Sequence, residues 1–296
     1  MMLNRERDFL QRNGLDVGGV DRAELLKIFE EEMDAGLAGR PSSLLMIPSF
    51  ISIDRPVKTG TPVVVLDAGG TNLRAAVVTL DGQGKAEIGE FRKSEMPGTK
   101  AEIGAEDFFE AFAEFVLPLA ERSDNIGFCF SYAAVVTPDC DARLIRWSKQ
   151  IKAPEVEGQL IGAGLKRKLA RRGYVRNVVI LNDTVATLLA GKSVGDSRGY
   201  SAYVGFILGT GTNTAYVEHN SRITKRSDLN RRGSMAINVE SGSFGRVCQT
   251  VFDKALDRAT RDPGHYMFEK MISGAYLGQL GHVVLKAAAK ENFFTP

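Results

Sequence analysis

Apolar residues first recur at helical spacing at Leu25, Leu26, Phe29, Met33 and Leu37, which predicts an amphipathic helix. Asp21 with Glu24 has the form of a capping box at its start; Gly36, Gly39 and Pro41 end it. Residues 56–62 read as a turn-rich crossing. The period then changes. Residues 63–66 are an apolar, β-branched run, Ala68-Gly69-Gly70-Thr71-Asn72 is a turn, and residues 73–80 form a second strand before the turn Asp81-Gly82. A helix from about Ala105 places Phe108, Phe112, Phe115 and Leu119 on one stripe, a core face. Residues 126–130 and 144–147 read as strands. Leu160, Ile161, Leu165 and Leu169 mark a helix closed by Gly173. Its basic end, residues 166–172, reads as a solvated last turn favoured by the helix dipole.

Residues 178–181 are a short buried strand, and residues 185–190 open a helix. Residues 192–198, small and polar, read as a linker. Beyond it come a strand at 203–208, the turn Gly209-Thr210-Gly211-Thr212-Asn213, a returning strand at 214–218 and a third strand at 236–240. Helices over 249–258 and 266–286 close the chain. The unit of strand, Gly/Thr-rich turn ending in Asn, and strand thus occurs twice. Asn72 and Asn213 are its equivalent turn ends, 141 positions apart. This suggests an internal duplication with a cleft between the halves.

Composition narrows the field. The 296 residues carry 38 Lys plus Arg against 36 Asp plus Glu, a net charge of +2, which points away from a basic nucleic-acid binder and an acidic tail protein. No apolar run approaches the roughly 20 residues needed to span a bilayer, and the polar start lacks a secretory apolar region. Cys129, Cys140 and Cys248 have no CxxC spacing, so they read as small buried hydrophobes in a reducing, cytoplasmic compartment. His219, His265 and His282 have no HxxxH or HExxH arrangement.

The turns carry the candidate chemistry. Glycines let a backbone approach a phosphate, and consecutive N–H groups form an anion cradle; a plain tight hairpin would use the same residues. Two such turns could grip one polyphosphate from both sides. Neither is a Walker A loop, and no GxGxxG opens a helix after a strand. Asp67, just before Gly69-Gly70, is either a turn-stabilising residue or the carboxylate of a magnesium site, often through water. Asn182-Asp183-Thr184 ends what reads as an inner strand, where α/β proteins place ligands. Asp183 there is either a general base or the cap of the following helix.

Taken in order, these residues resemble the ATP-dependent, eukaryotic-type hexokinases, the family that includes glucokinase. The resemblance runs from about residue 21 to 287. It is carried by Glu32-Met33, Ser42-Ser43-Leu44 and Met46-Ile47-Pro48, by Leu66-Asp67-Ala68-Gly69-Gly70-Thr71-Asn72-Leu73-Arg74, by Phe130-Ser131, and by Leu144-Ile145-Arg146-Trp147-Ser148-Lys149. Asn182-Asp183-Thr184, residues 209–213, Asn238-Val239-Glu240, Phe244-Gly245, Asp262-Pro263-Gly264 and residues 268–278 follow in family order.

The resemblance implies an α/β fold of two ribonuclease-H-like lobes, as in actin-like ATPases, with an interlobe cleft. Residues 1–56 would belong to the large lobe, 57–191 to the small lobe and 192–296 to the first part of the large lobe. It implies ATP and Mg2+ as cofactors and a hexose, with glucose first, phosphorylated at its 6-hydroxyl. Asp183 would be the base. Asn182, Asn213, Glu240 and Glu269, with Ser148, Lys149 and Ser131, would hold the sugar. Asp67, Gly69, Gly70, Thr71, Asn72 and Arg74 would serve the phosphates and magnesium from one side, and Gly209, Thr210 and Gly211 from the other.

Three departures bear on sugar preference: Ser148 for the usual Thr, Tyr132-Ala133 for the usual Phe-Pro, and Ser241 where Trp is common. The larger departure is length, because the family's adenosine-binding segment and the rest of its large lobe lie beyond this span. The expected consequence is an incomplete large lobe with an exposed edge, covered by self-association or by a partner chain. A non-catalytic hexose-binding or regulatory protein is the alternative reading. The bacterial repressor-kinase glucokinases need a clustered-cysteine zinc site, which three scattered cysteines do not supply.

Overall fold

A computed structural model describes residues 2–54, 58–132, 134–147, 151–195 and 198–294. The first half contains helices α1 (Met2–Arg12) and α2 (Arg22–Leu37), strands β1 (Ile47–Ser52), β2 (Val63–Gly69), β3 (Asn72–Leu80) and β4 (Ala86–Glu95), helix α3 (Ala105–Val116), and strands β5 (Asn125–Phe130), β6 (Ala134–Val136) and β7 (Ala142–Leu144). The second contains α4 (Ile161–Ala170), β8 (Asn177–Leu181), α5 (Asp183–Gly195), β9 (Val204–Leu208), β10 (Thr212–His219), β11 (Ser234–Asn238), α6 (Val251–Ala259), α7 (Met267–Ile272) and α8 (Gly274–Lys290).

β2, β3 and β4 form an antiparallel meander. β5 and β8 join parallel to β2, giving the order β4-β3-β2-β5-β8. α3 and α4 supply the core of this half: Phe108, Phe109, Phe112, Leu165 and Leu169 pack with Val64, Leu66, Phe128 and Ile180. The Phe stripe is therefore core, with Phe115 at its margin. The basic end of α4 is not simply solvated. It lies against the acidic face of α3, where Lys168 reaches Glu106 at 2.8 Å and Glu110 at 3.1 Å with its side chain only 6% exposed. Arg167 pairs with Glu106, and Arg172 with Glu110.

The second sheet is antiparallel throughout, in the order β1-β11-β10-β9. β11 is buried on both faces. Met235 and Ile237 point into a cluster with Leu37, Leu44 and Met46, beneath Phe29 and Met33 of α2. Ala236 points the other way, onto Val185 and Leu188 of α5. Period-two alternation inside a two-sided core explains why β11 reads as an almost continuous apolar run. α5 continues to Gly195, through the expected 191/192 boundary and into the expected linker, because its apolar face packs on this sheet.

Other expectations are corrected. Leu26 is 59% exposed and leaves the α2 stripe. Asp21 does cap α2, accepting the Glu24 N–H at 3.0 Å. The strand expected at 144–147 is β7, which ends at Leu144. The last helix is two, broken at Ser273, whose extended backbone separates α7 from α8. Cys248 is exposed and Cys129 and Cys140 are half-buried. β8 is not an inner strand: it is the sheet edge, where the Ile180 N–H donates to the Cys140 carbonyl at 2.7 Å.

Three elements were not read from the sequence. α1 is held by Phe9, which packs on Phe252 and Phe293. β1 carries a proline and an irregular register, and β4 is an almost wholly exposed edge strand rich in charge.

Candidate functional site

The parallel pairing of β2, β5 and β8 brings their C-terminal ends side by side, with Ala68 beside Phe130 and Cys129 beside Leu181. Asp67, Ser131 and Asp183 therefore emerge at one end of the first sheet. The β2–β3 hairpin closes through a two-residue turn, Gly70-Thr71, with Gly69 paired to Asn72. Gly70 has φ +61°, a conformation that glycine adopts at no steric cost. Asp67 and Arg74 are directly cross-strand, and the guanidinium lies 2.6 Å from Oδ2. Asn72 donates to the Thr71 hydroxyl at 3.3 Å.

The second hairpin is built differently. Leu208 pairs with Thr212, so its loop has three residues, Gly209-Thr210-Gly211. Asn72 is thus the first residue of its returning strand and Asn213 the second, so the two are not register equivalents. This one-residue shift lets Asn213 turn into the sheet's polar end. Its Nδ2 donates to Asn238 Oδ1 at 2.7 Å, and its Oδ1 accepts the N–H groups of Thr214 and Ser241. The loop's carbonyls face α8: Gly274 donates to Gly209 at 2.7 Å and Ala275 to Thr210 at 3.1 Å.

Glu240 and Glu269 join this end. Asn238 donates to Glu240 Oε1 at 2.8 Å, and Glu240 itself sits at φ +59°. Glu269, on α7, accepts the Thr212 N–H at 2.9 Å. A side chain on Gly211 would place its Cβ 2.6 Å from Glu269 Oε2, so glycine is what admits that carboxylate.

Electrostatics tie the halves together. Burial pushes the Glu240 carboxyl above the usual carboxylate range, and the nearby charges of Asp183 and Glu269 push it the same way. Burial likewise raises the Cys129 thiol to about 12, with Asp67 and Asp183 both adding to the effect. Asp183 thus acts both on Cys129, together with Asp67, and on Glu240. The cap of α5 is shared: Asn182 Oδ1 takes the Thr184 N–H at 2.8 Å and Asp183 Oδ1 takes it at 2.9 Å. Three converging carboxylates call for a ligand that offers several donors, and neighbouring hydroxyls do so.

Sequence reasoning named Asn238 as a motif residue and Tyr132 as a departure, and gave neither a place among the site residues. Asn238 precedes Glu240 by two positions at a strand end, a spacing that places both on one side. The Tyr132 hydroxyl donates to the Gly70 carbonyl at 3.0 Å. Ser131 is anchored through its N–H to the Ala68 carbonyl at 3.2 Å. Ser148 and Lys149 lie outside the described residues. Among the described residues no group of three or more His, Cys, Asp or Glu side chains could cage a metal. A half-exposed Asp67 oxygen beside an open turn fits a magnesium ion held partly through water and phosphate.

The fold is that of the actin-like ATPase class. The chain belongs to the hexokinase family: one family model described as hexokinase matches residues 14–193, and a second matches residues 203–296. It is 33% identical to a hexokinase of Schistosoma mansoni over 94% of this chain and 64% of that protein. It is 37% identical to Hexokinase-1 of Oryza sativa subsp. japonica over 90% of this chain and 57% of that protein. A solved structure of the Schistosoma mansoni hexokinase complexed with glucose superposes with a TM-score of 0.75 at 30% identity, covering 99% of this chain and 68% of that one. The chain thus spans about three fifths of the length of these two relatives. Among the described residues no helix is long and apolar enough to cross a membrane.

Proposed function

We propose that this chain carries the sugar and phosphate machinery of a hexose kinase, with Asp183 as the general base. The observation that supports it most is that the charges of Asp183 and Glu269 both act on the buried Glu240 carboxyl, while those of Asp183 and Asp67, the partner of Arg74, both act on Cys129. Glu240 and Glu269, with Asn213 and Asn182, accept and donate to the ring hydroxyls of a hexose, glucose first; Ser131, Ser148 and Lys149 complete the sugar site. Asp183 takes the proton of the 6-hydroxyl as that oxygen bonds to the terminal phosphorus of ATP and the bond to the leaving diphosphate breaks. Magnesium, held near Asp67, supplies charge neutralisation of the phosphates. The backbone at Gly69, Gly70, Thr71 and Asn72 lies on one side of the phosphates, and Gly209, Thr210 and Gly211 on the other. Residues 1–56 and the second sheet form the large lobe, and the first sheet the small lobe.

Glucose 6-phosphate formation with glucose and Mg-ATP, measured beside Asp183→Ala, tests this. Turnover that falls by about a hundredfold or more in Asp183→Ala supports the base. Glucose binding with no turnover in either chain supports the regulatory alternative, and no glucose binding at all overturns both.

A further inference from the structure

Tyr132 follows β5 and Ser131, and it is 5% exposed. Its ring lies against Phe130 at 4.9 Å and edge-on to Trp147 at 4.8 Å with an interplanar angle of 87°. Trp147 is in turn fixed by its indole N–H on the Ala153 carbonyl at 2.8 Å and by its backbone N–H on Glu157 at 2.9 Å. From this frame the phenol reaches the tip of the first turn and donates to the Gly70 carbonyl at 3.0 Å. Burial, with the Asp67 charge behind it, raises the phenol above its ordinary value, so it remains a donor at all working pH.

The consequence follows from peptide geometry. In a trans peptide, C=O and N–H point in opposite directions. A Gly70 carbonyl held toward Tyr132 turns the Thr71 N–H away from the aromatic cluster, on the exposed side of the turn. Gly70 is the flexible member of that peptide, with φ +61°; the Gly69–Asn72 pairing and the Met96 N–H on the Thr71 carbonyl hold its flanks, and the phenol holds its own carbonyl. On the other side of the frame, Trp147 immediately precedes Ser148 and Lys149.

We infer that Tyr132 is a positioning residue that fixes the Gly70–Thr71 peptide with its N–H presented to the phosphates of the nucleotide, through a brace shared with the sugar segment. This rests on the hexose-kinase reading. It assigns to Tyr132 a role in phosphate affinity, not in sugar contact.

Tyr132→Phe keeps the ring and removes only the hydroxyl, and its melting curve checks that the fold survives. On the full chain, glucose binding is read from the fluorescence of Trp147, the single tryptophan, and Mg-ATP binding by titration calorimetry. Tyr132→Phe is expected to weaken Mg-ATP by about three- to tenfold, the range of one hydrogen bond, and to leave glucose affinity unchanged. A general loosening of the fold would weaken both ligands. Unchanged Mg-ATP affinity, or equal loss for both ligands, overturns the role of Tyr132 while wild-type binding keeps the kinase reading. Glucose binding without Mg-ATP binding in the wild type also overturns it. A wild type that binds neither ligand removes the kinase reading itself.

Discussion

Glu269 accepts the backbone N–H of Thr212 at 2.9 Å, which ties the short helix α7 to the first residue of β10. Thr212 is 4% exposed, so water cannot easily replace that acceptor. Gly211→Ala would drive a methyl group into Glu269 Oε2, displacing the carboxylate and orphaning the N–H. The expected cost is about 1–3 kcal/mol of stability, seen in denaturant titration, together with weaker glucose binding. Full glucose affinity in Gly211→Ala would show that Glu269 does not depend on this anchor.

Glu240 makes the site's charge a measurable burden. Its folded-state pKa lies above the ordinary value, chiefly through burial, so the native state holds a proton that the unfolded chain releases. Stability from this group is complete below the unfolded pKa of about 4.3 and is lost as pH rises through the higher folded value. Glu240→Gln keeps an acceptor for Asn238 and Asn213 but carries no charge. Relative to the wild type, its melting temperature should be higher at neutral pH than in acid. A pH-independent difference would contradict this.

The α3–α4 ion pairs have the opposite sign. Hydrogen bonds from Lys168 and Arg172 hold the Glu106 and Glu110 carboxyls below the usual carboxylate range. Their stabilisation is present above the unfolded pKa and disappears as pH falls through the folded values. Lys168→Met should therefore melt lower than the wild type at neutral pH, and the two curves should converge below about pH 4. Persistence of the full difference in acid would assign the effect to packing instead.

Phe108 is fully buried and touches Phe109, Phe112 and Trp147. Phe108→Ala should cost about 3–5 kcal/mol, read by denaturant unfolding. Because Trp147 reports the same cluster, its emission should shift in the folded variant. An unshifted spectrum would place the loss elsewhere.

Much of the first sheet was legible because residues 63–66, 126–130 and 178–181 are short apolar runs and α3 carries its Phe residues at helical spacing. β4 was invisible for the converse reason: an exposed edge strand needs no apolar face. α5 was cut short in the reading because Lys192, Ser193 and Gly195 look like linker residues, although Gly195 packs against Tyr203 and Ser193 lies beside Gly84. At the site, Asp67, Asp183, Asn213, Glu240 and Glu269 could be named from motif order. The one-residue difference between the two loops could not, because it depends on strand register. Nor could Tyr132 as a hydrogen-bond donor, since its partner is a backbone carbonyl 62 positions away.

β9 has a further consequence for handling the protein. Among the described residues it pairs only with β10, and Val204, Phe206 and Leu208 stand 65%, 54% and 56% exposed along one side. Free backbone groups beside an apolar row form a template for a strand from another molecule. Shelf life then becomes a matter of crowding: loss of clear solution should scale with the square of protein concentration, and a short dilute stock should outlast a concentrated one of equal purity.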